Sequence, residues 1–162
     1  MSKSSARTIP VSEVPMTDIV NGEGQAYRPV VLVVDDECAI ADSLTEIMNR
    51  SGHDAYAAYD GPSALDAALL KPPDVVITDV VLPGMNGIEL AITIRRVFPD
   101  CKVVLFAGNA STTAILETAT RAGHNFLLLN KPVQPAEMLS HVARCVRSRM
   151  ESMASHRTAA AL

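Results

Sequence analysis

Val30-Val31-Leu32-Val33-Val34-Asp35-Asp36 is the stretch that decides the fold of this chain. The aliphatic run is too short for a membrane helix and apolar on both faces, as a central parallel strand must be when helices cover both sides of its sheet. It stops abruptly on two carboxylates. The same grammar recurs downstream. Val75-Val76-Ile77 is a buried strand that stops at Asp79, Val103 to Phe106 is interrupted by Ala107-Gly108-Asn109, and Phe126 to Leu129 is followed shortly by Lys131. A shorter strand is expected at about Asp54 to Ala58.

Helical periodicity fills the intervals. From Glu37 onward Ile40, Leu44, Ile47 and Met48 fall on one side, and Ser51-Gly52 closes that element. Asp60-Gly61-Pro62 supplies a cap and a first helical turn, and Pro72-Pro73 ends the helix it starts. Asn86 with Glu89 reads as a capping box for a helix through Leu90, Ile94 and Val97. A fourth helix is expected from about Ser111 to Ala122-Gly123, and a fifth from Gln134 to about Arg149 with Met138, Leu139, Val142 and Val146 on its stripe. Five strand-helix units with short links define an α/β, doubly wound (βα)5 fold around a parallel five-stranded sheet.

Residues 29-149 form this one domain, at a length sufficient for a core without metal or disulfide staples. Residues 1-28 mix Ser, Thr, Pro, Gly and charges without a period and are expected to be a flexible lead; residues 150-162 are expected to be a fraying tail. A net charge of −4 with no Lys/Arg-rich run argues against a nucleic-acid binder. No segment has the form of a membrane span or signal peptide, and Cys38, Cys101 and Cys145 lack metal or disulfide spacing, so a cytoplasmic protein with reduced thiols is expected. The four histidines share no zinc-like spacing, and no glycine-rich nucleotide loop is present.

In sheets of this kind, ligand-handling groups collect beyond the carboxyl ends of the strands. Asp35, Asp36, Asp79 and Lys131 all lie there, remote in sequence. Clustered carboxylates repel unless a cation or a proton intervenes. Magnesium suits them, being hard and oxygen-seeking and retaining part of its hydration for a phosphate ligand, and Lys131 offers a compact charge for a phosphoryl oxygen or a carboxylate. A plainer reading stands beside this one: Asp36 caps the first helix, Asp35 is a satisfied loop carboxylate, and Asp79 with Lys131 is a structural ion pair.

The Asp35-Asp36 pair, Asp79, Pro83, Gly87 and Lys131-Pro132 together resemble the receiver domain of bacterial two-component response regulators, from roughly Pro29 to Arg149. The resemblance implies a flavodoxin-like sheet of order 2-1-3-4-5. It implies that Asp79 accepts a phosphoryl group from a histidine kinase or phosphotransfer protein. Asp36, Asp79 and the carbonyl of Val81 would hold Mg2+, with Asp35 assisting, and Lys131 would pair with the phosphorylated product. It also implies a cis Lys131-Pro132 bond. Nothing in the sequence suggests a second, DNA-binding domain, so output is expected through contact with an unknown downstream protein or by phosphate relay rather than by enzymatic turnover. The family's usual interaction and dimerisation face, built from the fourth helix, fifth strand and fifth helix, makes Leu127, Leu128, Met138 and the His141 region candidates for a homodimer surface, although an apolar helix stripe is more often core.

The pattern breaks at two places. Where the family carries Ser or Thr after the fourth strand, this chain has Ala107, which has no donor; where it carries an aromatic switch residue three positions before the lysine, this chain has Leu128. The backbone of Gly108 and Asn109 is one substitute source of donors. Val81 is apolar where a residue flanking the attacking water would sit, so slow self-dephosphorylation is expected. A phosphorylation-independent adaptor is the alternative function. A small phosphatase would lack a general acid and the Asp-x-Asp arrangement.

Overall fold

The computed structural model describes residues 27-108 and 112-160. Five strands, β1 (Val30–Val34), β2 (Asp54–Ala58), β3 (Val75–Asp79), β4 (Lys102–Ala107) and β5 (Leu127–Asn130), alternate with five helices, α1 (Cys38–Arg50), α2 (Gly61–Leu70), α3 (Gly87–Val97), α4 (Thr112–Arg121) and α5 (Pro135–Ala160). The strands form one sheet of order β2-β1-β3-β4-β5, parallel throughout. The order reverses between β1 and β3, which places the ends of those two strands at the crevice where ligands bind in open α/β sheets.

The two faces of the sheet carry separate layers of core, because successive side chains along a strand point to opposite sides. Val31, Val33, Val75, Ile77, Val104, Phe106 and Leu129 pack with Ala41 and Met48 of α1 and Met138, Val142 and Val146 of α5. Leu32, Val34, Val76, Val103 and Leu105 pack instead with alanines of α2, with Ile88, Leu90 and Ile94 of α3 and with Ala119 of α4. From Val31 to Val34 and from Val75 to Ile77 no side chain reaches solvent. Burying a Val or Leu side chain stabilises by about 1.5–3 kcal/mol, so these two strands anchor the sheet. The loops that follow them inherit a rigid base.

Caps fall where composition placed them. Asp60 accepts from the Ser63 N–H at 2.7 Å at the start of α2, and Asn86 and Glu89 complete a reciprocal capping box on α3. Gly87 is held closer still: a β-carbon there would meet the Asp79 carbonyl oxygen at 1.9 Å, so only glycine lets α3 begin against the end of β3.

One expected helix boundary shifts. Helix α5 does not end near Arg149 but continues to Ala160. No Gly or Pro interrupts the sequence after Pro135, Met150 continues the apolar stripe onto the core, and Arg149 is fixed by an ion pair to Asp74 at 2.9 Å. Two residues before Pro29 are also tied to the domain: the Tyr27 hydroxyl donates to Asp74, and the Arg28 guanidinium donates to the His53 carbonyl at 2.7 Å. The expected flexible lead over 1-26 lies outside the described residues, as does Asn109. Met138 is buried core and cannot serve as surface. The three cysteines are free thiols, and burial pushes that of Cys101 up to about 12. Among the described residues no helix is long and apolar enough to cross a membrane.

Candidate phosphoryl and metal site

The end of β1 delivers Asp35 and Asp36, the end of β3 delivers Asp79, and the residue after β5 delivers Lys131. One carboxylate oxygen from each of Asp35, Asp36 and Asp79 lies within 4.8 Å of the others. The sheet thus brings together four charged residues that the sequence scatters over nearly a hundred positions.

Asp35 is wholly buried. Its Oδ1 accepts the Glu37 N–H at 2.9 Å, which turns the chain into α1, but among the described residues its Oδ2 makes no hydrogen bond and has only the Lys131 ammonium at 3.5 Å. Burial raises its pKa; the Glu37 N–H and the Lys131 charge pull it down, Asp79 and Asp36 push it up, and the net shift is upward. Asp36 is exposed and does not cap α1: the cap position is Glu37, which makes no side-chain capping bond.

Asp79 is nearly buried, its Oδ1 accepting the Val81 N–H at 3.0 Å and its Oδ2 the Lys131 ammonium at 2.6 Å. Lys131 also lies over the Phe106 ring at 4.7 Å, a cation–π contact that no sequence pattern announced beyond one aromatic residue near the end of β4. Burial alone would lower the Lys131 pKa, but the hydrogen bond and charge of Asp79 and the charge of Asp35 outweigh it and hold the ammonium above its ordinary value. Its backbone N–H donates to Ala107 at 2.9 Å across the β4–β5 edge, and the Lys131-Pro132 bond is cis.

The plainer reading explains part of this geometry. The Asp79–Lys131 ion pair exists. Among the described residues it leaves one lysine to answer three carboxylates, one of them with a buried oxygen that accepts no hydrogen bond, and a hard divalent ion would meet that deficit. The Asp35, Asp36 and Asp79 cluster is positioned to chelate a divalent metal such as Mg2+.

The switch positions hold no counterpart to the family's hydroxyl and ring. Ala107 is buried, and Leu128 packs half-buried against the core layer of α2, α3 and α4. Val81 presents an exposed apolar side chain beside Asp79, 59% accessible.

A doubly wound sheet with an acidic, lysine-completed pocket at its switch point makes a candidate phosphoryl and metal site. The sequence pattern of the Response regulator receiver domain family matches residues 31–143. The structure is similar to a two component transcriptional regulator AraC from Clostridium phytofermentans ISDg, at 30% identity and a TM-score of 0.66 over 78% of this chain and 98% of that one. It is similar also to a CheY-like response regulator receiver domain protein from Methanospirillum hungatei JF-1, at 25% identity and a TM-score of 0.70 over 78% and 99% of the two chains. The chemotaxis protein CheY4 of Vibrio cholerae matches at 26% identity and a TM-score of 0.66 over 74% and 99%. The chain belongs to the response regulator receiver domain family. It is an atypical member, lacking the aromatic switch, and a signalling domain rather than an enzyme in the ordinary sense. Membership implies a histidine kinase or phosphotransfer protein as its partner.

Proposed function

We propose that Asp79 accepts a phosphoryl group from a phosphohistidine of such a partner. The observation that carries this reading is the meeting of Asp79 Oδ2 with Lys131 at 2.6 Å beside the buried, unsatisfied Asp35 Oδ2. In the transfer, an Asp79 carboxylate oxygen forms a bond to phosphorus as the phosphorus–nitrogen bond of phosphohistidine breaks, the imidazole leaves with the bonding pair, and the product is an acyl phosphate. Asp35, Asp36, Asp79 and the carbonyl of Val81 would hold Mg2+, which when bound screens the negative charge of nucleophile and phosphoryl oxygens. Lys131 would then exchange its bond to Asp79 for one to a phosphoryl oxygen, while Asp35 keeps its ammonium in place. Gly87 holds the Val80 end of the loop, donating its N–H to the Val80 carbonyl at 2.8 Å, so that Asp79 is presented on fixed backbone.

Incubation with Mg2+ and acetyl phosphate, read by intact mass, should add one phosphoryl group that the Asp79→Asn variant does not acquire. An unmodified wild-type chain, under conditions that label another receiver, refutes the reading. The apolar Val81 side chain cannot orient a hydrolytic water, so the acyl phosphate should persist for minutes or longer; decay within seconds in Mg2+ would count against that part. Output through the face of α4, β5 and α5 is supported by the exposure of Ile115 and Leu127, and size-exclusion chromatography before and after phosphorylation tests it.

A further inference from the structure

The surroundings of Ala107, which offers no hydroxyl, are not apolar throughout. A pocket of about 320 Å³ opens beside Ala107, Gly108 and Leu128 and is also lined by Thr112, Thr113, Asn130 and Lys131. Asn130 is the register partner of Ala107 across the parallel β4–β5 pair, so their side chains rise on the same face of the sheet in neighbouring strands, about 4.8 Å apart in the pairing direction. Asn130 ends an otherwise aliphatic strand, is exposed, and its carboxamide makes no hydrogen bond to the described residues. It directly precedes Lys131, whose backbone N–H ties it to Ala107. A carboxamide reaches two bonds beyond its β-carbon and carries two N–H donors, which suits a phosphoryl oxygen.

We infer that Asn130 replaces the missing hydroxyl: its carboxamide donates to the phosphoryl group on Asp79 across the gap above Ala107, directly or through one water. This rests on the phosphoryl-acceptor reading of Asp79. It also supplies a route for the signal. The group that senses the phosphoryl oxygen sits on β5 itself, two residues beyond Leu128, so a pull on Asn130 moves the edge strand without any aromatic rotamer.

The test uses beryllofluoride, formed from beryllium and fluoride, which bonds to a carboxylate and imitates a phosphoryl group. In the wild-type chain with Mg2+, the side-chain amide resonances of Asn130 in a nitrogen-15 correlation spectrum should shift on its addition. The Asn130→Ala variant should bind it roughly tenfold more weakly, the loss expected of one hydrogen bond to a charged group, and adding Ala107→Thr to that variant should restore most of the affinity. Tight binding in Asn130→Ala, within twofold of wild type, with an unmoved Asn130 amide in the wild type, overturns the inference and leaves the acceptor reading standing. A wild-type chain that binds no beryllofluoride overturns both. The amide shift needs no substitution, so a poorly folded variant does not blunt the test.

Discussion

Two aspartates bracket β3, and their surroundings differ as sharply as any two places in the molecule. Asp74, just before the strand, is buried and answered at both oxygens: Oδ1 pairs with Arg149 at 2.9 Å, and Oδ2 accepts the Val30 N–H at 2.8 Å and the Tyr27 hydroxyl. Among the described residues Asp74 belongs to no group of three metal-ligating side chains. Asp79, ending the same strand, shares its space with Asp35 and Asp36 and divides one lysine with Asp35. The first arrangement closes the N-terminal rim of the sheet, binding the incoming chain to β3 and to α5. The second leaves charge in excess and an oxygen unanswered. A carboxylate with every partner supplied holds the fold; one that lacks partners is waiting for a ligand.

The largest expected effect breaks the closed end. Asp74→Ala leaves the half-buried Arg149 without its counter-charge and the Val30 N–H without an acceptor, and urea unfolding should show a loss of about 3–5 kcal/mol. That is a large share of a single domain's stability. Asp79→Asn, by contrast, should remain within about 1 kcal/mol of wild type while losing all phosphoryl uptake. Equal losses for the two variants would erase the distinction between the rims.

A smaller effect separates the open end by its metal. Saturating Mg2+ should stabilise the wild-type chain against urea, by about 2.7 kcal/mol when the ion stands at a hundred times its dissociation constant. The exposed Asp36 accepts no hydrogen bond from the described residues, so Asp36→Asn should cost nothing in EDTA and should gain a few tenths of a kcal/mol from relieved repulsion. The same variant should lose most of the response to Mg2+. A response that survives intact in Asp36→Asn would mean that the ion binds elsewhere.

The sequence revealed these two ends unequally, for physical reasons. Strands β1 and β3 are buried on both faces, so Val30 to Val34 and Val75 to Ile77 show as unbroken aliphatic runs, and the carboxylates that end them show by contrast. The meeting of Asp35, Asp36, Asp79 and Lys131 at one end of the sheet was therefore legible, though the strand order came from the resemblance and not from periodicity. The Asp74 network was not legible. It joins Tyr27, Val30, Asp74 and Arg149 by tertiary contacts with no spacing rule, and the same omission hid the true length of α5, since Arg149 is an anchor inside the helix and not its last residue. Asn130 escaped notice for a related reason: its meaning depends on lying opposite Ala107, a register fact that appears only when β4 and β5 pair.

The smallest prediction concerns an exception at the closed end. His53, just before β2, is buried; its Nδ1 faces the Met48 carbonyl at 3.1 Å, and its Nε2 has no hydrogen-bond partner among the described residues. Burial lowers its pKa, the bond to Met48 pulls the other way, the nearby Arg28 charge adds to the lowering, and the net shift is downward. The neutral ring therefore belongs to the folded state. As pH falls through the ordinary histidine value near 6.5, the unfolded chain takes up a proton that the folded chain refuses, so stability must decline toward acid. The slope from this group is at most about 1.4 kcal/mol per pH unit and ends once the folded-state pKa is passed. Urea unfolding between pH 7.5 and 5 should show that decline, and His53→Gln should flatten it by up to one proton's worth. If the variant and the wild type keep parallel pH profiles, His53 is protonated alike in both states, and the closed rim holds no titrating weakness.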